Sequence, residues 1–316
     1  MMSRPWTVKF LAAAMSLAAA FYVSASASAA LIVNDTWQDG DRTVQENGVD
    51  SDLDTDIESA WFNGGASTMT ATVGNLNGDL TGSSANWTTY FTAEGSEVNL
   101  ANNGDKLRVT WTFELTGVAA NNTSQNFRMG IVDSIPANRI AADGNPPGGA
   151  AGNPYAGYAI FANMSSGVLG NSNPFIIRER AGQSGSNAIL GTSSDWGAGD
   201  ITGTLNGATT GNGGFAAATP YTLVWELTRN GAGIDVDATL SGQGYNTSGV
   251  GTIDANDPSG NGFQFDTFNV RPSSAAGVAE AFDTKLFRVE FIPIPEPCSL
   301  VLVGLASLAF APVRRR

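Results

Sequence analysis

Tyr221-Thr222-Leu223-Val224-Trp225-Glu226-Leu227-Thr228-Arg229-Asn230-Gly231-Ala232-Gly233-Ile234-Asp235-Val236-Asp237-Ala238-Thr239-Leu240 decides the fold. Tyr221, Leu223, Trp225 and Leu227 alternate with Thr222, Val224, Glu226 and Thr228. After the turn, Ile234, Val236, Ala238 and Leu240 alternate with Asp235, Asp237 and Thr239. A strict period of two puts one set on a core and the other in water, which is a half-buried strand. Asn230-Gly231 supplies the positive φ that a tight hairpin turn demands. The stretch therefore predicts an antiparallel hairpin with an apolar face.

The same rhythm spreads outward. In Lys106 to Leu115, the residues Leu107, Val109, Trp111, Phe113 and Leu115 take one face, while Arg108, Thr110, Thr112 and Glu114 take the other. Phe127, Met129 and Ile131 repeat it. Further strands are expected at Leu31 to Val33, Ser67 to Val73, Trp87 to Thr92, Tyr155 to Ala162, Phe175 to Arg180, Phe263 to Val270 and Lys285 to Phe291. Asn75 to Asp79 carries turn chemistry, and residues 141–154 and 197–214, rich in Gly and Asn, read as long loops. About a dozen strands exceed what one sheet holds without splitting into two layers. The expected fold is all-β, a jelly-roll β-sandwich.

Several short stretches, Asn34-Asp35-Thr36-Trp37, Tyr90-Phe91-Thr92, Tyr155-Ala156-Gly157-Tyr158, Tyr221-Thr222-Leu223 and Phe265-Asp266-Thr267-Phe268, resemble the concanavalin A-like (laminin G-like) domains of bacterial surface proteins. That resemblance implies a sandwich over residues 30–292.

The two ends read differently. Arg4 and Lys9 precede an apolar stretch from Phe10 to Val23, and Ala27-Ser28-Ala29 fits an A-x-A exit. Residues 1–29 are thus expected to be a signal peptide handled by the Sec export machinery, cleaved after Ala29, with Ala27 the other candidate. At the far end, Pro295-Glu296-Pro297 stands before the apolar residues Leu300, Val301, Leu302, Val303, Leu305, Leu308 and Phe310, and Arg314, Arg315 and Arg316 close the chain. The proline-rich segment cannot join a helix or a ladder, the apolar run is short for a bilayer span, and the arginines favour the cytoplasmic side. In this order, residues 293–316 resemble the PEP-CTERM sorting signal. The resemblance implies recognition of Pro295, Glu296 and Pro297 by an exosortase-type membrane protease. It also implies transient anchoring in the inner membrane by the apolar helix, then delivery to the cell surface or extracellular matrix.

Between these signals the chain carries twenty-nine acids and eleven bases, a net charge of −18. Such a surface argues against nucleic acid or anionic lipid as a partner. The lone cysteine, Cys298, permits no intramolecular disulfide, and the absence of histidine removes Ser-His-Asp chemistry and imidazole-based zinc sites. Paired carboxylates remain for glycoside chemistry. The Glu-x-Asp-x-Glu motif of laminarinase-like enzymes on this fold is missing, with Asp235-Val236-Asp237 the nearest spacing.

The expectation is a non-enzymatic surface protein whose sandwich binds extracellular polysaccharide. The rivals are a paired-carboxylate glycosidase or lyase and a purely structural matrix protein. Trp37, Trp61, Trp87, Tyr155, Tyr158, Trp196 and Tyr245, in or beside loops, are either sugar-stacking platforms or lids over the sandwich, whereas Trp111 and Trp225 point inward. Asp50, Asp52, Asp54 and Asp56 alternate as if on one face of an extended chain. They form either a calcium site, without the glycine of an EF-hand loop, or a solvated loop. Calcium is the one cofactor candidate.

Overall fold

The computed structural model describes residues 28–147, 155–182 and 188–294. Residues Ala29–Ile292 form one compact unit. Its strands are β1 (Ala30–Asp35), β2 (Trp61–Gly64), β3 (Thr68–Thr72), β4 (Asn75–Asp79), β5 (Ala85–Tyr90), β6 (Val98–Asn99), β7 (Lys106–Thr116), β8 (Phe127–Asp133) and β9 (Ala156–Ala162). They continue with β10 (Phe175–Arg180), β11 (Trp196–Gly197), β12 (Thr202–Thr204), β13 (Tyr221–Asn230), β14 (Gly233–Gly242), β15 (Val250–Asp257), β16 (Gln264–Phe265), β17 (Thr267–Ser273) and β18 (Ala281–Ile292). Among the described residues the only helical segments are three short 3₁₀ turns.

Every named strand pairing is antiparallel. A nine-stranded sheet runs β12-β15-β14-β13-β7-β18-β4-β3, with β1 also on β18, and a seven-stranded sheet runs β11-β10-β9-β8-β17-β5-β2. The hairpin pairs as the alternation requires, Tyr221 opposite Gly242 through Asn230 opposite Gly233, with Gly231 at φ 64°. On its other side Trp225 faces Val109 of β7. Strand β18 pairs with β7 along its length. On its other edge it takes β4 at Ala281 to Thr284 and then, past a bulge at Lys285, β1 at Phe287 to Phe291.

The two sheets pack face to face as a jelly-roll sandwich. Trp111 of β7 stacks on Phe113 at 4.2 Å and meets Phe127 of β8 and Phe268 of β17. Trp61 of β2 stands edge-on to Phe287 of β18 at 5.1 Å. Every side chain of this main core comes from residues 32–291, so the unit carries its own core. A second, smaller core lies outside the seven-stranded sheet, where Phe161, Tyr155, Ile189, Leu190 and Trp196 pack over it. That cover explains why β9 is buried on both faces.

Three readings are corrected here. Asn75 to Asp79 is strand β4: Leu76 and Gly78 face the core, and its outward Asn75 and Asn77 both donate to Asp283 of β18. Strand β15 went unread because small residues, Gly251 and Ala255, hold core-facing positions there. The loop at 197–214 contains β12, which pairs with β15.

Pro293 and Ile294 follow β18 outside any strand. Ala29 is exposed just before β1. Ala27, Pro295 to Pro297, the apolar run Leu300 to Phe310 and Arg314 to Arg316 lie outside the described residues. No helix among the described residues is long and apolar enough to cross a membrane.

Candidate functional site

The aromatic platforms are absent from the surface. Trp37, Trp61, Trp87, Tyr155, Tyr158, Trp196 and Tyr245 are each at most 2% exposed. Trp61, Trp87, Tyr158 and Trp196 lie in β2, β5, β9 and β11, and Trp37, Tyr155 and Tyr245 lie in loops that turn them inward, where large aromatic side chains bury much apolar area. They serve as lids and core, and sugar stacking at these positions is ruled out by burial.

The acidic segment after β1 is a loop of nine acids and one base between Asp35 and Glu58. Its alternation marks successive side-chain-to-backbone turns and not a strand face. Asp50 accepts from the Leu53 amide at 2.6 Å, Asp52 from Asp54 at 3.2 Å and Asp54 from Asp56 at 3.1 Å. Aspartates accept such bonds from the backbone a few residues on and hold it in turns. Leu53 and Thr55 sit at φ 69° and 87°, which is rare for non-glycine residues.

The four sequence candidates are thereby separated. Asp56 is engaged by the backbone, its Oδ2 accepting from the amides of Thr36 (2.9 Å) and Gln38 (3.3 Å), while its carboxyl also lies against that of Asp54. Asp50 and Asp52 lie with Glu46, whose carboxylate is engaged by Ser51 and by the Glu58 amide. Asp54 joins two acids that the sequence reading did not single out, Asp39 and Glu58, with an oxygen from each within 4.8 Å of the others. Glu58 is buried at 2% exposure, and neither carboxylate oxygen has a hydrogen-bond partner among the described residues. Burial, then the charges of Asp39 and Asp35, push its carboxyl up to about 9. Burial likewise lifts Asp35 to about 8, although amides of Trp37 and Ser59 donate to it.

The outer face of the seven-stranded sheet has the opposite charge. Arg128 of β8 lies directly opposite Arg271 of β17, and on its other side opposite Phe161 of β9. The Arg128 guanidinium sits 4.5 Å over the Phe161 ring, and that of Arg178 from β10 lies 5.1 Å from the same ring. Six of the eleven bases in the sandwich form ion pairs, but Arg128, Arg178 and Arg271 form none among the described residues. Every acid except Glu296 is among those residues. Burial and the neighbouring cations Arg271 and Arg178 pull Arg128 down to about 10, which leaves it charged at neutral pH. Arg128 donates to the carbonyl of Leu190 at 2.8 Å, and the buried Nε of Arg178 has no partner. The sequence reading missed this face: the three arginines are far apart in the chain, and only strand register brings them together.

Asp235 is bound by the amides of Asn230 and Asn256 on the outer face of the nine-stranded sheet. Three surface cavities among the described residues measure about 470, 470 and 320 Å³. The first is lined by Glu97, whose carboxylate lies within 4.8 Å of those of Glu94 and Asp266; the second has Glu226 and Glu290 paired with arginines, and the third has Asp143 paired with Arg42. A further carboxylate group, Glu179, Asp200 and Asp257, ties β10 to the end of β15. Asp257 accepts the Tyr158 hydroxyl at 2.6 Å, and burial followed by the Asp257 charge raises Glu179 to about 7.

No protein-family model and no curated protein sequence matches the chain. Solved structures with a similar architecture include the carbohydrate recognition domain of Emp47p, at 10% identity over 75% of this chain and 90% of that one, TM-score 0.40. Others are lectin I from Ulex europaeus in complex with the methyl glycoside of α-L-fucose (9%, 74% and 97%, 0.42) and the metal-free lectin I-B4 from Griffonia simplicifolia (9%, 73% and 92%, 0.39). No residue of this chain takes a role from these distant likenesses.

Proposed function

We propose that this protein is an exported, non-enzymatic surface or matrix protein whose sandwich binds an acidic extracellular polysaccharide on the arginine face. One observation carries the binding reading: Arg128 and Arg271, like charges directly opposed across two strands, have no carboxylate between them in a strongly acidic body. Directly opposed like charges cost stability, and an anion bridging them removes the cost. Guanidinium groups bind carboxylate and sulfate in a planar, two-pronged way. The Phe161 ring holds the guanidinium groups of Arg128 and Arg178 in place. The net negative body repels dense polyanions, so the ligand class is a glycan with isolated uronate or sulfate groups.

Residues Ala29–Ile292, which contain a complete core, should be retained by uronate- or sulfate-bearing glycans and not by neutral ones. An Arg128→Gln, Arg271→Gln double variant should lose that retention. Retention of neutral glycans alone, or an unaffected double variant, would overturn the reading. Release of reducing ends would favour the glycosidase, and retention on nothing would favour a purely structural role.

Export and sorting rest on the terminal sequences. The Pro295-Glu296-Pro297 element, the apolar run and the arginine cluster support recognition by an exosortase-type protease after Sec-dependent export. Alanines at Pro295-Glu296-Pro297 should leave export intact and hold the full-length protein in the membrane. Host fractionation with blotting decides it, and normal surface delivery of that variant would end the sorting reading.

A further inference from the structure

We infer that Asp39, Asp54 and Glu58 form a calcium site in the loop after β1, independent of the glycan reading. An acidic cluster alone says little, since exposed acids gather in loops without any ion. Here the second observation is Glu58, 2% exposed, with both oxygens lacking a hydrogen-bond partner among the described residues and lying beside two other carboxylates. A buried carboxylate in such a place is stabilised by a counter-charge or by protonation. Among the described residues no lysine or arginine forms an ion pair with any of the three. The Oδ2 of Asp54 is buried too and has no donor among the described residues.

All candidate donors are oxygens, which selects a hard cation. Calcium binds oxygens at about 2.3–2.6 Å, so two donors on one ion lie at most about 5 Å apart. The oxygens of Asp39, Asp54 and Glu58 meet that limit, falling within 4.8 Å of one another. Asp39 is exposed and gives the ion a way in, while Glu58 closes the inner side. The neighbouring group of Glu46, Asp50 and Asp52 is less suited. Glu46 there already accepts from Ser51 and from the Glu58 amide, so its carboxylate serves the loop. That amide bond also links the two groups: Glu46 holds the Glu58 backbone, and the Glu58 side chain is left for the ion.

The test is calorimetric titration of chelator-stripped Ala29–Ile292 with calcium chloride, with melting followed in parallel. The expected result is one equivalent of calcium bound and a melting temperature that rises with calcium concentration by mass action. Glu58→Gln and Asp39→Asn should each weaken binding by about tenfold or more, whereas Asp50→Asn should leave it nearly unchanged. Glu58→Gln relieves the crowding of a buried carboxyl group against Asp39 and Asp54, so without calcium it should melt no lower than the wild type. Its loss of binding therefore cannot be loss of fold, and the exposed Asp39→Asn gives a second check. No binding at millimolar calcium would overturn the inference. So would wild-type affinity in Glu58→Gln, or a loss confined to Asp50→Asn.

Discussion

At the scale of single residues, the sandwich depends on a few close approaches between its sheets. Gly78 of β4 is one. A Cβ there would come within 2.3 Å of the indole ring of Trp87, itself buried and edge-on to Phe282 at 5.3 Å. Neither ring has room to retreat, so Gly78→Ala should destabilise the fold by about 1–3 kcal/mol, the usual cost of overpacking. Urea denaturation measures it; an unchanged midpoint would mean that β4 does not hold this position. Trp111 and Trp225 were legible as core residues because each occupies a strand position of known parity. Trp37 was not, because the polar Thr36 and Gln38 that flank it conceal that its loop closes over the sandwich edge.

At the scale of elements, register makes neighbours that the sequence keeps far apart. Strand β8 brings Arg128 opposite Arg271, separated by more than a hundred residues in the chain. The alternation in β8 predicted which side Arg128 takes, but no sequence signal names its cross-strand partner. Because the two cations repel, Arg271→Gln should stabilise the ligand-free protein by about 0.2–1 kcal/mol while impairing glycan retention. A fall in melting temperature without ligand would indicate a structural role for Arg271 instead. The acidic loop teaches a related lesson. Alternating aspartates describe equally well a strand face and a series of turns in which each side chain caps a nearby amide. Only the hydrogen bonds from Leu53, Asp54 and Asp56 decide for turns.

For the whole molecule, an excess of carboxylates makes stability depend on pH. Burial raises Asp133 to about 7, and burial with the Asp257 charge raises Glu179 to about 7. A carboxyl with a raised value keeps its proton in the folded chain at pH values where the unfolded chain has released it. Folding then takes up protons, and stability falls as pH rises from the ordinary carboxylate range through about 7. Glu226, held below its ordinary value against burial by Lys106 and Arg108, acts in the opposite sense, but only at lower pH. In the presence of chelator the melting temperature should therefore decline from about pH 5 to about pH 8. Glu179→Gln should flatten part of that decline. A flat profile in the wild type would show that these carboxyls are already ionised in the fold.

The central claim is that the paired arginines recognise an acidic sugar, and one comparison tests it most directly. Ala29–Ile292 is titrated calorimetrically with an oligosaccharide in which isolated uronate residues alternate with neutral sugars, and with the same oligosaccharide after its carboxyl groups have been reduced to alcohols. The prediction is saturable binding of the uronate-bearing oligosaccharide, loss of most affinity on carboxyl reduction, and abolition in the Arg128→Gln, Arg271→Gln variant. Equal affinity for the two oligosaccharides, or binding of the uronate-bearing one that survives in the variant, would contradict it.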